Sequence, residues 1–205
     1  TTNGGTSWTK VSSNGEIHNV TAIVQDPRVG FQNIFYYATG EALGNSASLG
    51  SPYRGHGVWK STDSGLTWAR LANSNTGTLE TFQCADYIYR LAVDPTNGNV
   101  YMAIAGADHR STNGGPTWTT DIGGACSGSA TAESDIVISS TGQVYIAFAG
   151  DAGSALDGIW TSASGNSGSY TRLAGNTSPA GWNAPGDYDR MVLALAPSNE
   201  NILYA

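Results

Sequence analysis

Positive charge is scarce in this chain. Two lysines, Lys10 and Lys60, and seven arginines face sixteen acidic residues, for a formal net charge of −7. No cluster of Lys and Arg occurs, which argues against a nucleic-acid backbone or an anionic membrane surface as partner. Long apolar runs are missing too. Nothing approaches the ~18 residues of a membrane span, so no membrane insertion is expected. The three histidines, His18, His56 and His109, lack zinc-type spacing, and no EF-hand loop is present. Charged residues make up 12% of the chain, against roughly 25% in an average soluble domain.

Glycine, small polar residues and aromatics fill the space. Gly occurs 27 times, Tyr ten times and Trp six times in 205 residues. That mixture reads as short strands joined by many turns. One string recurs: TTNGGTSW at Thr1–Trp8, KSTDSGLTW at Lys60–Trp68 and RSTNGGPTW at Arg110–Trp118, with a worn copy ending at Tyr170. The closing aromatics are spaced by 60, 50 and 52 residues. A second string interleaves with it, as NIFYYATG, NVYMAIAG, QVYIAFAG and NILYA, and a third precedes the second, as VTAIVQDP, IYRLAVDP, SDIVISST and MVLALAPS.

Each repeat therefore predicts four short antiparallel strands. In the copy from Ile88 to Gly123, DPTNGN joins the first two strands and NGG joins the last two, placing Pro and Asn-Gly where tight turns need them. The second strand is apolar on both faces, as a sheet covered on both sides requires. Such sheets packed face to face around an axis make an all-β propeller. The expected partition is 1–17 as the end of a blade, 18–73, 86–123 and 133–174 as whole blades, and 188–205 as the start of another. The chain is thus expected to be an incomplete segment, with the rest of the propeller as its partner.

Within the repeated turn, Asn3, Asp63 and Asn113 can each accept backbone N–H groups two residues on. Gly5, Gly65 and Gly115 can take the left-handed conformation. Trp8, Trp68 and Trp118 then open the fourth strand. A self-satisfied turn explains every residue type without a ligand. The pattern S/T-x-D-x-G-x-T-W resembles the Asp-box, or BNR repeat, of sialidases, xyloglucanase-type glycoside hydrolases and sortilin-type receptors. The stretch YYATGEA followed by GHGVWKSTDSGLTW is most similar to secreted bacterial BNR proteins, which implies an extracellular or cell-surface location.

The resemblance implies that the loops after the second and fourth strands share the ligand face. These are the long ones here: Gly40–Gly57, Ala72–Tyr87, Thr120–Ser134 and Ala174–Asp189. Polar candidates on that face are Glu41, Arg54, His56, Asp86, Arg90, Asp108, Asp135, Asp151, Asp187, Asp189 and Arg190. Tyr87, Trp182 and Tyr188 are candidate platforms for sugar rings. Tyr87, Arg90, Asp135, Trp182, Tyr188 and Asp189 make up the expected ligand site. The acidic residues among the candidates predict a neutral or weakly basic ligand. Glu41 is the one catalytic candidate, because it closes a second strand near the axis; a glycosidase needs a second carboxylate across the bond. No arginine triad of sialidase type can be read. No cofactor is expected, calcium between Asp151 and Asp157 being the weak alternative. Cys84 and Cys126 lie in loops entering and leaving the same repeat on one face, which predicts a disulfide. The expected function is a non-catalytic binding or scaffold module for glycan or protein; the alternative is a BNR-type glycoside hydrolase.

Overall fold

The computed structural model describes residues 1–11, 19–41, 53–75, 84–124, 134–149, 155–175, 177–182 and 190–205. These residues form strands and turns with two single 3-10 turns, Ala72–Ser74 and Cys84–Asp86, and no α-helix among them. The first sheet holds β1 (Val20–Gln25), β2 (Phe35–Thr39), β3 (Val58–Ser61) and β4 (Ala69–Arg70). The second holds β5 (Ile88–Val93), β6 (Val100–Ile104), β7 (Ala107–Ser111) and β8 (Thr119–Gly123). The third holds β9 (Ser134–Ile138), β10 (Val144–Phe148), β11 (Gly158–Ser162) and β12 (Thr171–Ala174). A two-stranded piece, β13 (Ala194–Leu195) and β14 (Leu203–Tyr204), follows. Every sheet is an antiparallel meander in chain order.

Strand alternation drives the stacking of these sheets. On β6, Val100, Met102 and Ile104 point into one core with Tyr36, Ala38 and Val58 of the first sheet. Tyr101 and Ala103, between them, point into a second core with Ile136, Val144, Ile146 and Phe148 of the third sheet. Period-two geometry sends neighbouring side chains to opposite faces, so one five-residue strand feeds two interfaces. Burying each of the larger aliphatic side chains contributes roughly 1.5–3 kcal/mol. A third core joins Ala147, Ile159 and Ala174 to Leu193. Contacts between sheets concentrate at their first strands, β1 against β5 and β5 against β9.

The repeated turn closes on itself by hydrogen bonds. At its first complete copy, Ser61 Oγ donates to Asp63 Oδ1 at 2.7 Å, and Asp63 Oδ1 also accepts Thr67 N at 2.9 Å. Gly65 N donates to Ser61 Oγ at 2.8 Å, and Trp68 Nε1 to Gly65 O at 3.1 Å. Around Asn113 the pattern is the same, with Thr117 N at 3.1 Å from Oδ1 and Gly115 N at 2.7 Å from Ser111 Oγ. At the start of the chain Ser7 N lies 3.0 Å from Asn3 Oδ1, and Gly5 N lies 2.9 Å from Thr1 Oγ1. That copy is exposed throughout, Trp8 at 78%, so the turn forms without a neighbour to brace it. The Asp63 carboxyl is held down at about 2, first by the Thr67 hydroxyl. A carboxylate so fully engaged by its own loop has little left to offer a ligand.

The first sheet also grips the turn of the second, and the second that of the third. Lys60 Nζ, on β3, donates to Gly114 O at 3.0 Å while lying 5.3 Å from the centre of the Tyr36 ring. Arg110, on β7, stands at the same register: its Nη1 reaches Ser164 O at 3.4 Å, and its guanidinium lies 6.0 Å from the Tyr101 ring.

Candidate functional site

Among the described residues, the polar side chains singled out from the sequence do not share one surface. Asp86 is buried, and its Oδ1 accepts Asn75 Nδ2 at 2.8 Å. Its carbonyl accepts Gly55 N at 2.8 Å, so it braces the incoming chain. Tyr87, expected as an open platform, is 3% exposed: the turn at Cys84–Asp86 folds it inward just before β5. Trp182 is half-buried and packs against the third core. His56 is also half-buried, and desolvation, ahead of the nearby Arg70, lowers its pKa. Glu41 is exposed, its backbone paired with Tyr53 at 2.8 Å in both directions. Asp151, Asp187, Tyr188, Asp189 and Cys126 lie outside the described residues. The expected Cys84–Cys126 bridge therefore falls outside the described residues, and Asp157, the other half of the calcium expectation, is buried.

Asp108 departs furthest from expectation. Expected on the ligand face, it is fully buried between the second and third sheets, and neither carboxyl oxygen has a hydrogen-bond partner. Burial, then the neighbouring Asp121, pushes its pKa well up. Arg110 Nε lies 2.7 Å from Asp121 Oδ2, so Asp121 takes the one cation of the cluster. The Tyr170 hydroxyl, also buried without a partner, is pushed up by desolvation.

Two of the expected ligand residues do meet. Arg90 on β5 and Asp135 on β9 occupy one register position in successive sheets, each opposite an alanine of the second strand, Ala103 and Ala147. Position 90 therefore points toward position 135. Arg90 Nε lies 3.3 Å from Asp135 Oδ1. A register shift between Ile88 and Arg90 in β5 precedes this contact, the kind of bulge that re-aims a side chain at a strand end. Asp135 is nearly buried, and its oxygens are committed. Oδ1 accepts Ile136 N at 3.0 Å, and Oδ2 accepts Leu193 N at 2.7 Å, tying β9 to the chain entering β13. Burial raises its pKa, against the opposing pull of Leu193 N and then Arg90.

Around this pair lies a small cleft of about 40 Å³, partly open to solvent, between the starts of β5 and β9 and the segment before β13. Tyr89, Arg90, Asp135, Arg190, Met191 and Val192 line it. Arg190 is near enough to Asp135 to act on its carboxyl. Half of the Arg90 side chain is exposed, and Val192 is 53% exposed. The cleft thus combines two guanidiniums, one committed carboxylate and apolar area. Tyr89, Met191 and Val192 escaped the sequence reading. Aligning the repeats by strand register, rather than by turn strings, puts Arg90 and Asp135 in one column and marks their neighbours. Among the described residues no group of three or more His, Cys, Asp or Glu gathers to hold a metal.

No protein-family model and no curated protein matches the chain. Solved structures do. An ancestral GH74 enzyme superposes with a TM-score of 0.57 at 18% identity, over 94% of this chain and 22% of that one. The GH74 xyloglucanase from Xanthomonas campestris gives 0.55 at 15%, over 92% and 26%. The GH74 enzyme of Niastella koreensis gives 0.51 at 19%, over 90% and 33%. These enzymes are β-propellers, and the likeness assigns that fold to the described sheets. The chain spans between about a fifth and a third of the length of each.

Proposed function

We propose that the chain is part of a secreted, Asp-box β-propeller that binds glycan at the end face holding the Arg90–Asp135 cleft, without cleaving it. The three four-stranded sheets are its whole blades, and the flanking pieces, 1–11 and 190–205, belong to two partial ones. The observation that carries the reading is the commitment of Asp135. A glycosidase needs one carboxyl to protonate the leaving oxygen and another to attack or to activate water, roughly 5–10 Å apart. Among the described residues lining the cleft Asp135 is the one carboxylate, and both its oxygens are held by backbone N–H groups and Arg90. That arrangement positions chain and guanidinium; it does not leave an oxygen free for proton transfer. Tyr89, Met191 and Val192 supply the apolar area on which a sugar ring rests.

The hydrolase reading is favoured by one specific observation, the likeness to xyloglucanases. The two separate in one assay. The protein is incubated with a panel of plant and bacterial polysaccharides, and both retention and release of reducing ends are measured. Retention without release supports the binding module. Release that disappears with Glu41→Gln or Asp135→Asn establishes the hydrolase instead.

A further inference from the structure

Asn-Gly occurs four times in the chain, at Asn3, Asn14, Asn97 and Asn113. Asn14 lies outside the described residues, and the other three side chains are all exposed. Asn3 and Asn113 occupy the repeated turn at the position that Asp63 holds in the copy between them. Asn-Gly is the pair in which a chain deamidates itself most readily, because glycine has no Cβ to keep its nitrogen from the preceding side chain. Asn113 Oδ1 accepts the Ser111 hydroxyl at 2.8 Å and Thr117 N at 3.1 Å. Asn3 Oδ1 accepts the Thr1 hydroxyl at 2.9 Å and Ser7 N at 3.0 Å. Negative charge develops on this oxygen as the ring closes, and donors already aimed at it stabilise that charge. The attacking nitrogens, Gly4 N and Gly114 N, donate to no described residue. Asn97 differs on both counts. Its Oδ1 accepts a single donor, Asn99 N at 2.8 Å, and Gly98 N is tied to Asp94 O at 2.8 Å.

The middle copy shows the turn with the product in place. Asp63 Oδ1 accepts the same pair of donors, Ser61 Oγ at 2.7 Å and Thr67 N at 2.9 Å, and Oδ2 takes the Thr67 hydroxyl at 2.5 Å. At Asn113 that last contact runs the other way, Nδ2 donating to Thr117 Oγ1 at 2.8 Å. Rotating one hydroxyl is enough to convert the amide turn into the carboxylate turn, and hydrogen bonds to a carboxylate are the stronger kind.

We propose that Asn3 and Asn113 are self-modifying sites, at which the turn promotes deamidation and converts its Asn copies to the Asp form. Gly114 N loses its proton to solvent base and bonds to Asn113 Cγ. The Cγ–Nδ2 bond breaks, and ammonia leaves with a proton from water. Water then adds at Cγ of the cyclic imide, the Cγ–N bond breaks, and the Gly114 nitrogen regains its proton. Amide and water have become carboxylate and ammonium, so position 113 gains one negative charge. Gly4 N does the same at Asn3. Water adding at the backbone carbonyl instead leaves isoaspartate, which lengthens the main chain and breaks the turn.

The folded protein is kept in mildly alkaline buffer at physiological temperature. Peptide mass spectrometry follows each site, and an isoaspartate methyltransferase assay counts the alternative product. Asn3 and Asn113 are expected to convert about tenfold faster than Asn97, whose glycine nitrogen must first leave its hydrogen bond. In urea the three rates are expected to converge. Aspartate is expected to outnumber isoaspartate in the folded chain. Thr1→Ala removes one donor from an exposed copy without touching a core, and is expected to slow conversion of Asn3 several-fold while Asn113 keeps its rate. Asn113→Asp is expected to unfold at a urea concentration no lower than the parent. Equal rates at the three sites in the folded protein, no conversion at Asn113, an excess of isoaspartate, an unchanged Asn3 rate in Thr1→Ala, or a lower midpoint for Asn113→Asp overturns the proposal.

Discussion

Between the first and second sheets Lys60 crosses to Gly114, while Arg28, paired with Asp26, crosses separately to Asn97. Between the second and third, Arg110 crosses in the same way to Ser164 but stands beside Asp121 and Asp108. Both junctions have an aliphatic core and a tyrosine under the cation. They differ in what the cation must neutralise. Lys60 satisfies a carbonyl at a partly exposed edge, and its pKa is lowered chiefly by burial. Arg110 offsets a buried carboxylate while a second stays neutral close by. One architecture therefore tolerates a junction whose buried carboxylate, Asp26, is paired by a separate arginine and one whose crossing cation itself pairs Asp121 beside buried Asp108, because repeat geometry fixes backbone and register and leaves side-chain chemistry free.

The largest effect is expected from removing Arg110, set against removal of Lys60 at the equivalent position. Arg110→Met strands Asp121 in the interface and is expected to cost about 3–5 kcal/mol, as for other broken buried pairs. Lys60→Met removes one hydrogen bond and is expected to cost about 1 kcal/mol. Urea unfolding at pH 7 reads both. Equal losses would mean that Asp121 finds water once its partner has gone.

Next in size is one substitution made in two equivalent turns. Gly165 has φ +65 and Gly114 φ +73, and an alanine in that region costs about 1–2 kcal/mol. At Gly165 the new methyl would also collide with the hydroxyl of fully buried Tyr101, adding about 1–3 kcal/mol of overpacking. At Gly114 it would meet the Lys60 ammonium at 3.0 Å, the end of a side chain that can move. Gly165→Ala is expected to lower the melting temperature clearly more than Gly114→Ala.

The third effect is a slope rather than a step. Asp108 keeps its proton in the folded chain at pH values where the unfolded chain has released it. The folded state then binds the extra proton, so stability is greatest below the unfolded value near 4. It falls as pH rises toward the folded value, by at most about 1.4 kcal/mol per unit. Asp121 and Asp135, also raised by burial, add to the same trend. Asp108→Asn cannot titrate and is expected to flatten the dependence between pH 5 and 8. An unchanged slope would show that Asp108 is ionised in the fold.

Much of the architecture was legible because a turn and a strand are local. The Asp63 and Asn113 loops state their hydrogen bonds in eight residues, and Val100–Ile104 states both of its faces in five. The site was less legible, because its contacts join distant positions. Arg90 and Asp135 lie in separate repeats, and only strand register brings them together. Tyr87 and Asp108 were misplaced for a physical reason. Sequence reading puts charged and loop residues outside, whereas a strand sandwiched between sheets buries whatever stands on its covered face, and a single 3-10 turn is enough to carry a loop tyrosine inward. Asp187, Tyr188 and Asp189 lie outside the described residues, so that part of the expected site stands as a proposal.

At both junctions the crossing cation of the earlier sheet reaches the turn of the later one. Lys60 reaches Gly114 and Arg110 reaches Ser164, each across 54 residues. A ribosome adding about 5–20 residues per second needs roughly 3–11 s to make that distance. During the interval the first sheet, and then the second, holds its cation, its tyrosine and one apolar face ready for a partner still inside or behind the exit tunnel. Synthesis therefore moves an open interface along the nascent protein, one sheet at a time, and a pause after any single sheet prolongs its exposure to chaperones and to other nascent chains.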